Sequence, residues 1–151
     1  MDDGYDCKKY FGRYISIISR NLFYYISKEM NDIGIGKIDF EVLVLLYDRE
    51  GICQEGIVSI LKLDKMTVAK SIKKLTEMEY IIKVKDREDK RKSSIYLTNK
   101  GLKIKEKICC VKKEINDIFL KDFNETEIEL FTKLLYKISK NAVDEISETK
   151  C

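Results

Sequence analysis

From about residue 7 to residue 31, apolar side chains return at Phe11, Tyr14, Ile15, Ile18, Leu22, Tyr25, Ile26 and Met30, the spacing of a helix with a wide apolar stripe. Tyr10, Phe23 and Tyr24 broaden the stripe, and a helix that is apolar on more than one face needs more than one partner. The segment DIGIGK breaks the pattern. Asp39 is the expected cap of a second helix, which carries Phe40, Val42, Leu43, Leu45, Leu46 and Tyr47 and stops near Gly51. A short helix is predicted over residues 54–61 and another over about 65–78. The β-prone YIIKVK (80–85) and SIYL (94–97) flank a polar segment and predict a hairpin. Thr98 or Asn99 caps a long helix over about residues 100–121, with Leu102, Ile104, Ile108, Val111, Ile115, Ile118 and Phe119. Asn124, with Glu127 three residues on, opens the last helix as a variant capping box. That helix carries Ile128, Phe131, Leu134, Leu135, Ile138, Ala142 and Ile146.

Two helices joined by a tight turn and followed by a β-hairpin form a winged helix-turn-helix. The expected fold class is therefore mainly α with a small β-hairpin wing. A single domain is expected over residues 1–151, with its winged core at 37–97. The flanking segments, 1–36 and 98–151, carry more apolar surface than so small a core covers. They are expected to be dimerisation helices that pack on a second copy.

Composition sharpens this picture in a few places. Hydrophobic content of 44% suffices for a core, and the absence of proline with only seven glycines leaves the helical patterns uninterrupted. The formal net charge is only +3, but its distribution is uneven. Residues 62–103 hold 13 Lys/Arg against 6 Asp/Glu, a net +7, and the remainder holds 16 against 20, a net −4. One contiguous basic segment in a mildly acidic chain suits a polyanion; a solvated charged face gives the same composition. The longest apolar run, 40–47, contains Glu41 and is far too short to span a bilayer, and Asp2, Asp3 and Asp6 carry the wrong charge for a secretory signal. A cytoplasmic protein without membrane contact is expected, with its five cysteines reduced.

On a 100° helical wheel centred on Val68, Ile72 and Leu75 point inward, and Leu61 joins them if one register runs through. Met66, Lys70, Lys73 and Glu77 point outward, with Thr67 and Lys74 on one flank and Ala69 on the other. In a helix-turn-helix the second helix enters the major groove and its N-terminal residues meet base edges. Lys65, Met66, Thr67, Ala69 and Lys70 occupy that place; lysine reaches guanine acceptors, and threonine and alanine methyls touch a thymine methyl. Lys73 and Lys74 suit phosphates. An amphipathic helix with solvated lysines would look the same.

The stretch VKDREDKRKSSIYLTNKG adds weight to the nucleic-acid reading. Six basic residues lie between Lys83 and Lys92, more than solubility requires. Basic side chains at a wing tip enter a neighbouring minor groove. Asp89 is positioned to aim Arg91 or Arg87, or else to brace the hairpin with it. Asp86, Glu88, Asp89, Arg91, Leu97, Thr98, Lys100 and Gly101 in this stretch resemble the wing signature of the MarR family of transcription regulators. LDKMTVAKSIKKL (63–75) is similar to that family's recognition helix, and the outer helices match in order and length.

The resemblance implies a homodimeric, sequence-specific DNA-binding regulator, in the main a repressor, on a pseudo-palindromic operator. It makes Arg91 the wing arginine and Asp89 its supporting carboxylate, with Arg87, Lys90 and Lys92 beside them. It also implies release by a small aromatic or phenolic effector, for which Tyr24, Tyr25, Phe40 and Tyr47 are the candidate lining; aromatics at such spacing also serve as core. Lys90 stands where the family often has a second arginine. Glu79 stands where it commonly has glycine, so a left-handed backbone there would cost about 1 kcal/mol.

Two other readings remain in view: a winged-helix module that binds protein, and an oxidant-sensing regulator using Cys7 near the first helix. A reactive thiol needs a stabilised thiolate; Lys8 and Lys9 favour it and Asp6 opposes it. Cys53 is expected in the core, near a short strand before the third helix. Enzyme, cofactor and metal readings find little support. The chain has no histidine, CxxC motif, phosphate-cradling glycine loop or nucleophile elbow.

Overall fold

The computed structural model describes residues 10–85 and 93–148. Its helices are α1 (Gly12–Met30), α2 (Lys37–Asp48), α3 (Gln54–Leu61), α4 (Lys65–Glu77), α5 (Asn99–Lys103), α6 (Lys105–Phe119) and α7 (Glu125–Glu148). Strands β1 (Ile81–Lys85) and β2 (Ser93–Leu97) lie between α4 and α5. This is the mainly helical, hairpin-bearing order that periodicity predicts.

The chain divides into two compact units, Met1–Val111 and Lys112–Cys151, and the division falls inside α6. In the first unit, α2 is the central element. Phe40, Val42, Leu43, Leu45 and Leu46 are all buried, because neighbours approach this helix from several sides. Ile57 of α3, Val68, Ile72 and Leu75 of α4, Ile81 and Ile95 of the hairpin, and Ile108 and Val111 of α6 complete the core. From α1 only Ile26 and Met30 are buried, and Phe11, Tyr14, Ile15 and Ile18 at its N-terminal end stay exposed. In the second unit, Asn124 and Glu127 exchange the two expected capping bonds, at 2.9 and 3.0 Å. Leu130, Leu134, Leu135 and Ile138 of α7 are exposed.

Three local expectations are corrected. Asp39 does not cap α2: Gly36 holds the N-cap in extended conformation, and Asp39 stands three residues in, accepting the Gly36 N–H at 2.9 Å. Cys53 is exposed at the N-cap of α3 and is not core; it is the preceding Ile52 that bridges to Ile95. The helix expected over residues 100–121 is interrupted at Ile104, whose N–H turns to the Leu102 carbonyl. Thr98 caps α5 and, with Lys100 and Gly101, ties it to the turn behind α4.

That turn fixes the exit from α4. The Glu79 N–H donates to Thr76 O and the Tyr80 N–H to Leu75 O, both at 2.9 Å, forming a Schellman motif with Glu79 at φ 61°. The left-handed backbone considered for a glycine position is therefore present, occupied by glutamate. The Thr98 hydroxyl donates to Glu79 O at 2.5 Å, and the Lys100 ammonium donates to Met78 O at 2.8 Å and lies over the Tyr80 ring. A Cβ at Gly101 would stand 2.1 Å from Tyr80 O, so only glycine lets α5 approach this closely. The Tyr47 hydroxyl donates to Gly101 O at 2.8 Å, linking α2 to the same corner. Partial burial pushes Tyr47 up from its ordinary 10.0 to about 12.

Three outcomes are expected in urea unfolding. Glu79→Gly raises stability by about 1 kcal/mol by relieving the left-handed glutamate. Gly101→Ala lowers it by about 1–3 kcal/mol, the usual cost of overpacking. The Tyr47 contribution is fully present below pH 10 and is lost as pH rises toward about 12, because the unfolded phenol ionises first. In Tyr47→Phe that part of the alkaline loss disappears from the difference between the two stability–pH curves.

Candidate nucleic-acid interface

Helix α3 ends on Lys62, whose φ of 54° turns the chain sharply. Leu63 and Asp64 then lead directly into α4. Asp64 caps α4 twice over: one carboxylate oxygen accepts the Thr67 N–H at 2.8 Å and the other accepts the Thr67 hydroxyl at 2.6 Å. These bonds, the hydroxyl's first, hold the Asp64 carboxyl below its usual range, so the cap stays ionised. A negative charge there also suits the positive end of the helix dipole.

The faces of α4 fall as the wheel predicts. Val68, Ile72 and Leu75 are buried. Lys65, Met66, Lys70 and Lys73 are exposed, and Thr67 and Ala69 are half-buried at the margin. Lys73 has only a long contact to Glu77, 3.8 Å between two exposed groups, worth little. Lys74, on the flank, is exposed and ion-paired. Its ammonium lies 2.5 Å from the buried carboxylate of Asp39 on α2. The other Asp39 oxygen accepts the hydroxyl of Ser71 at 2.7 Å.

Asp39 thus takes a backbone N–H, a hydroxyl and an ammonium, and is only 5% exposed. Sequence reasoning missed Ser71. Its signal was a polar residue beside the inward stripe, three positions before Lys74, but its partner lies 32 residues away.

The hairpin follows at once. Its strands pair antiparallel with Ile81 opposite Leu97, Lys83 opposite Ile95 and Lys85 opposite Ser93. Ile95 also exchanges backbone bonds with the segment before α3: Gly51 N–H to Ile95 O and Ile95 N–H to Ile52 O, both 2.9 Å. Glu50 accepts the Leu97 N–H at 2.8 Å. Lys83 and Lys85 are exposed, and Lys83 reaches Gln54 of α3 at 3.3 Å. The expected wing-tip residues Arg87, Asp89, Lys90, Arg91 and Lys92 lie outside the described residues, as does Cys7.

The four candidate effector residues occupy different settings. Phe40 is buried in the core, Tyr47 is half-buried and bonded to Gly101, Tyr25 is half-buried, and Tyr24 is 70% exposed. Among the described residues no helix is long and apolar enough to cross a membrane, and no group of three or more Cys, Asp or Glu is placed to hold a metal ion.

Comparison with known proteins agrees with this geometry. The family model described as transcriptional regulator SarA/Rot matches residues 21–108. The HTH-type transcriptional regulator YybA of Bacillus subtilis (strain 168) is 30% identical over 129 residues, covering 85% of this chain and 86% of its own. A MarR family transcriptional regulator from Listeria monocytogenes, solved in complex with a 26mer DNA, is similar with a TM-score of 0.88 and 32% identity. That likeness covers 94% of this chain and 95% of the other. A MarR transcriptional regulator from Methanosarcina mazei Go1 is similar with a TM-score of 0.80 and 31% identity, over 89% of this chain and 96% of its own.

Removing the Asp39 carboxylate strands the Ser71 hydroxyl and the Gly36 N–H. Asp39→Ala should lower stability by about 1–3 kcal/mol in urea unfolding, the cost of unsatisfied buried polar groups. A variant as stable as the parent would show that these bonds contribute nothing net.

Proposed function

The chain belongs to the SarA/Rot group of MarR-like winged-helix transcriptional regulators, and from that premise we propose that it acts as a homodimeric repressor on a pseudo-palindromic operator. Its proteins are DNA-binding regulators and not enzymes. The observation that carries the finer reading is the outward face of α4, where Lys65, Met66, Lys70 and Lys73 stand exposed on a helix fixed at both ends. Lys65 and Lys70 meet base edges and nearby phosphates, and Lys73 meets phosphate. Lys83 and Lys85 continue the basic surface along β1. Arg87, Lys90, Arg91 and Lys92 extend it to the minor groove, with Asp89 orienting Arg91.

Dimerisation is supported by the apolar side chains left exposed on α1 and on α7, each too extensive for a lone surface helix. Two copies present two recognition helices, which is what a two-fold operator requires. Release by a small aromatic effector is the regulatory part of the proposal. Of the four candidate residues, Tyr24 stands most open to solvent, whereas the core and Gly101 already engage Phe40 and Tyr47.

Binding that neutralises phosphates must weaken with salt. With about 6–10 phosphates engaged by the dimer, affinity for an operator duplex falls by roughly 10³–10⁵ between about 50 and 200 mM salt. A fluorescence-anisotropy titration reads this directly. A flat salt response, or a species that stays monomeric at the concentrations where duplex is bound, contradicts the proposal.

A further inference from the structure

The outward groups of α4 are unusual for a base reader. The helix, KMTVAKSIKKLTE, contains no Arg, Asn or Gln, so it has none of the forked side chains that bond two acceptors or an acceptor–donor pair on one base. The structure removes most of the remaining polar candidates as well. The Ser71 hydroxyl and the Lys74 ammonium are held by Asp39. The Thr76 hydroxyl donates to the Ile72 carbonyl at 2.7 Å. The Thr67 hydroxyl donates to Asp64 at 2.6 Å, while its backbone N–H is held by the same carboxylate. Within the first two turns this leaves Lys65, Met66, the Thr67 methyl, the Ala69 methyl and Lys70. Met66 is 67% exposed, a large apolar side chain on the polar side of the helix that the fold does not use.

Resting on the regulator reading above, we propose that α4 selects its operator through methyl contacts, with Met66, Thr67 and Ala69 set against thymine methyl groups in the major groove. Asp64 holds both the N–H and the hydroxyl of Thr67, so of that side chain only the methyl is left to read a base. The thymine C5-methyl is the only apolar group on the major-groove edge of the four bases. A thioether and two methyl groups pack against it without leaving a polar atom unpaired. Lys70 can add donation to the guanine O6 and N7 acceptors, but from a flexible ammonium without the fixed planar fork of arginine. The half-site is therefore read mainly by where its thymine methyls stand.

The test separates methyl from hydrogen-bond reading. Duplexes enriched by the wild-type dimer from a random library are resynthesised with deoxyuridine for thymidine inside the half-sites. This removes the methyl and keeps the base pair. Wild type should lose affinity about four-fold per contacted methyl, the ratio that burial of one methyl-sized group supplies. Thr67→Val, which keeps the methyl and drops the hydroxyl, should retain the thymine preference, and Thr67→Ser, which does the reverse, should lose part of it. Equal wild-type affinity for the two duplexes overturns the inference while leaving DNA binding intact. So does a preference that survives in Thr67→Ser and vanishes in Thr67→Val, since the hydroxyl would then be the reader. Failure to enrich any duplex overturns the regulator reading, and this inference with it.

Discussion

A carboxylate buried between α2 and α4 holds the recognition helix in place. Asp39 is almost fully removed from water, and a lone charge there would be costly. It is tolerated because it accepts from Gly36, Ser71 and Lys74 together. Two of these donors lie on α4, three positions apart on one face, so the ion resists both sliding and rotation of the helix. Apolar contacts at Val68, Ile72 and Leu75 supply the burial, but they are not directional. The hydrogen bonds give α4 its orientation, and the orientation decides which side chains meet solvent.

The two ends of α4 are fixed by separate means. At the start, Asp64 anchors the first turn through Thr67. At the finish, the Schellman turn places Glu79 in a left-handed conformation, and Thr98, Lys100 and Gly101 close over it. Three residues of the wing signature thus clamp the exit of the recognition helix and the root of the hairpin. A family motif in the wing therefore includes residues whose task is to fix the angle between helix and wing. Lys74 shows the complementary point: a basic residue of the basic segment also serves the fold, through its ion pair with Asp39.

What the sequence made legible was local. The bounds of α3, the inward stripe of α4, a cap at Thr98 or Asn99 and the Asn124–Glu127 box all follow from side chains within four residues of one another. The left-handed Glu79 was legible as a departure from a glycine position. What stayed hidden was non-local. Asp39 read as a cap because its partners Ser71 and Lys74 lie more than thirty residues away. Cys53 read as core because its apolar neighbours concealed its place at a helix start. The break at Ile104 interrupts a stripe that periodicity reads as continuous.

The central claim is that the exposed lysines of α4 and β1 form one surface for duplex DNA. Lysine acetylation read by mass spectrometry, with and without a bound operator duplex, tests it most directly. The account predicts strong protection of Lys65, Lys70, Lys73, Lys83 and Lys85, with Lys113, Lys133 and Lys137 reacting equally in both states. Protection spread evenly over all lysines, or confined to those of α6 and α7, would contradict it.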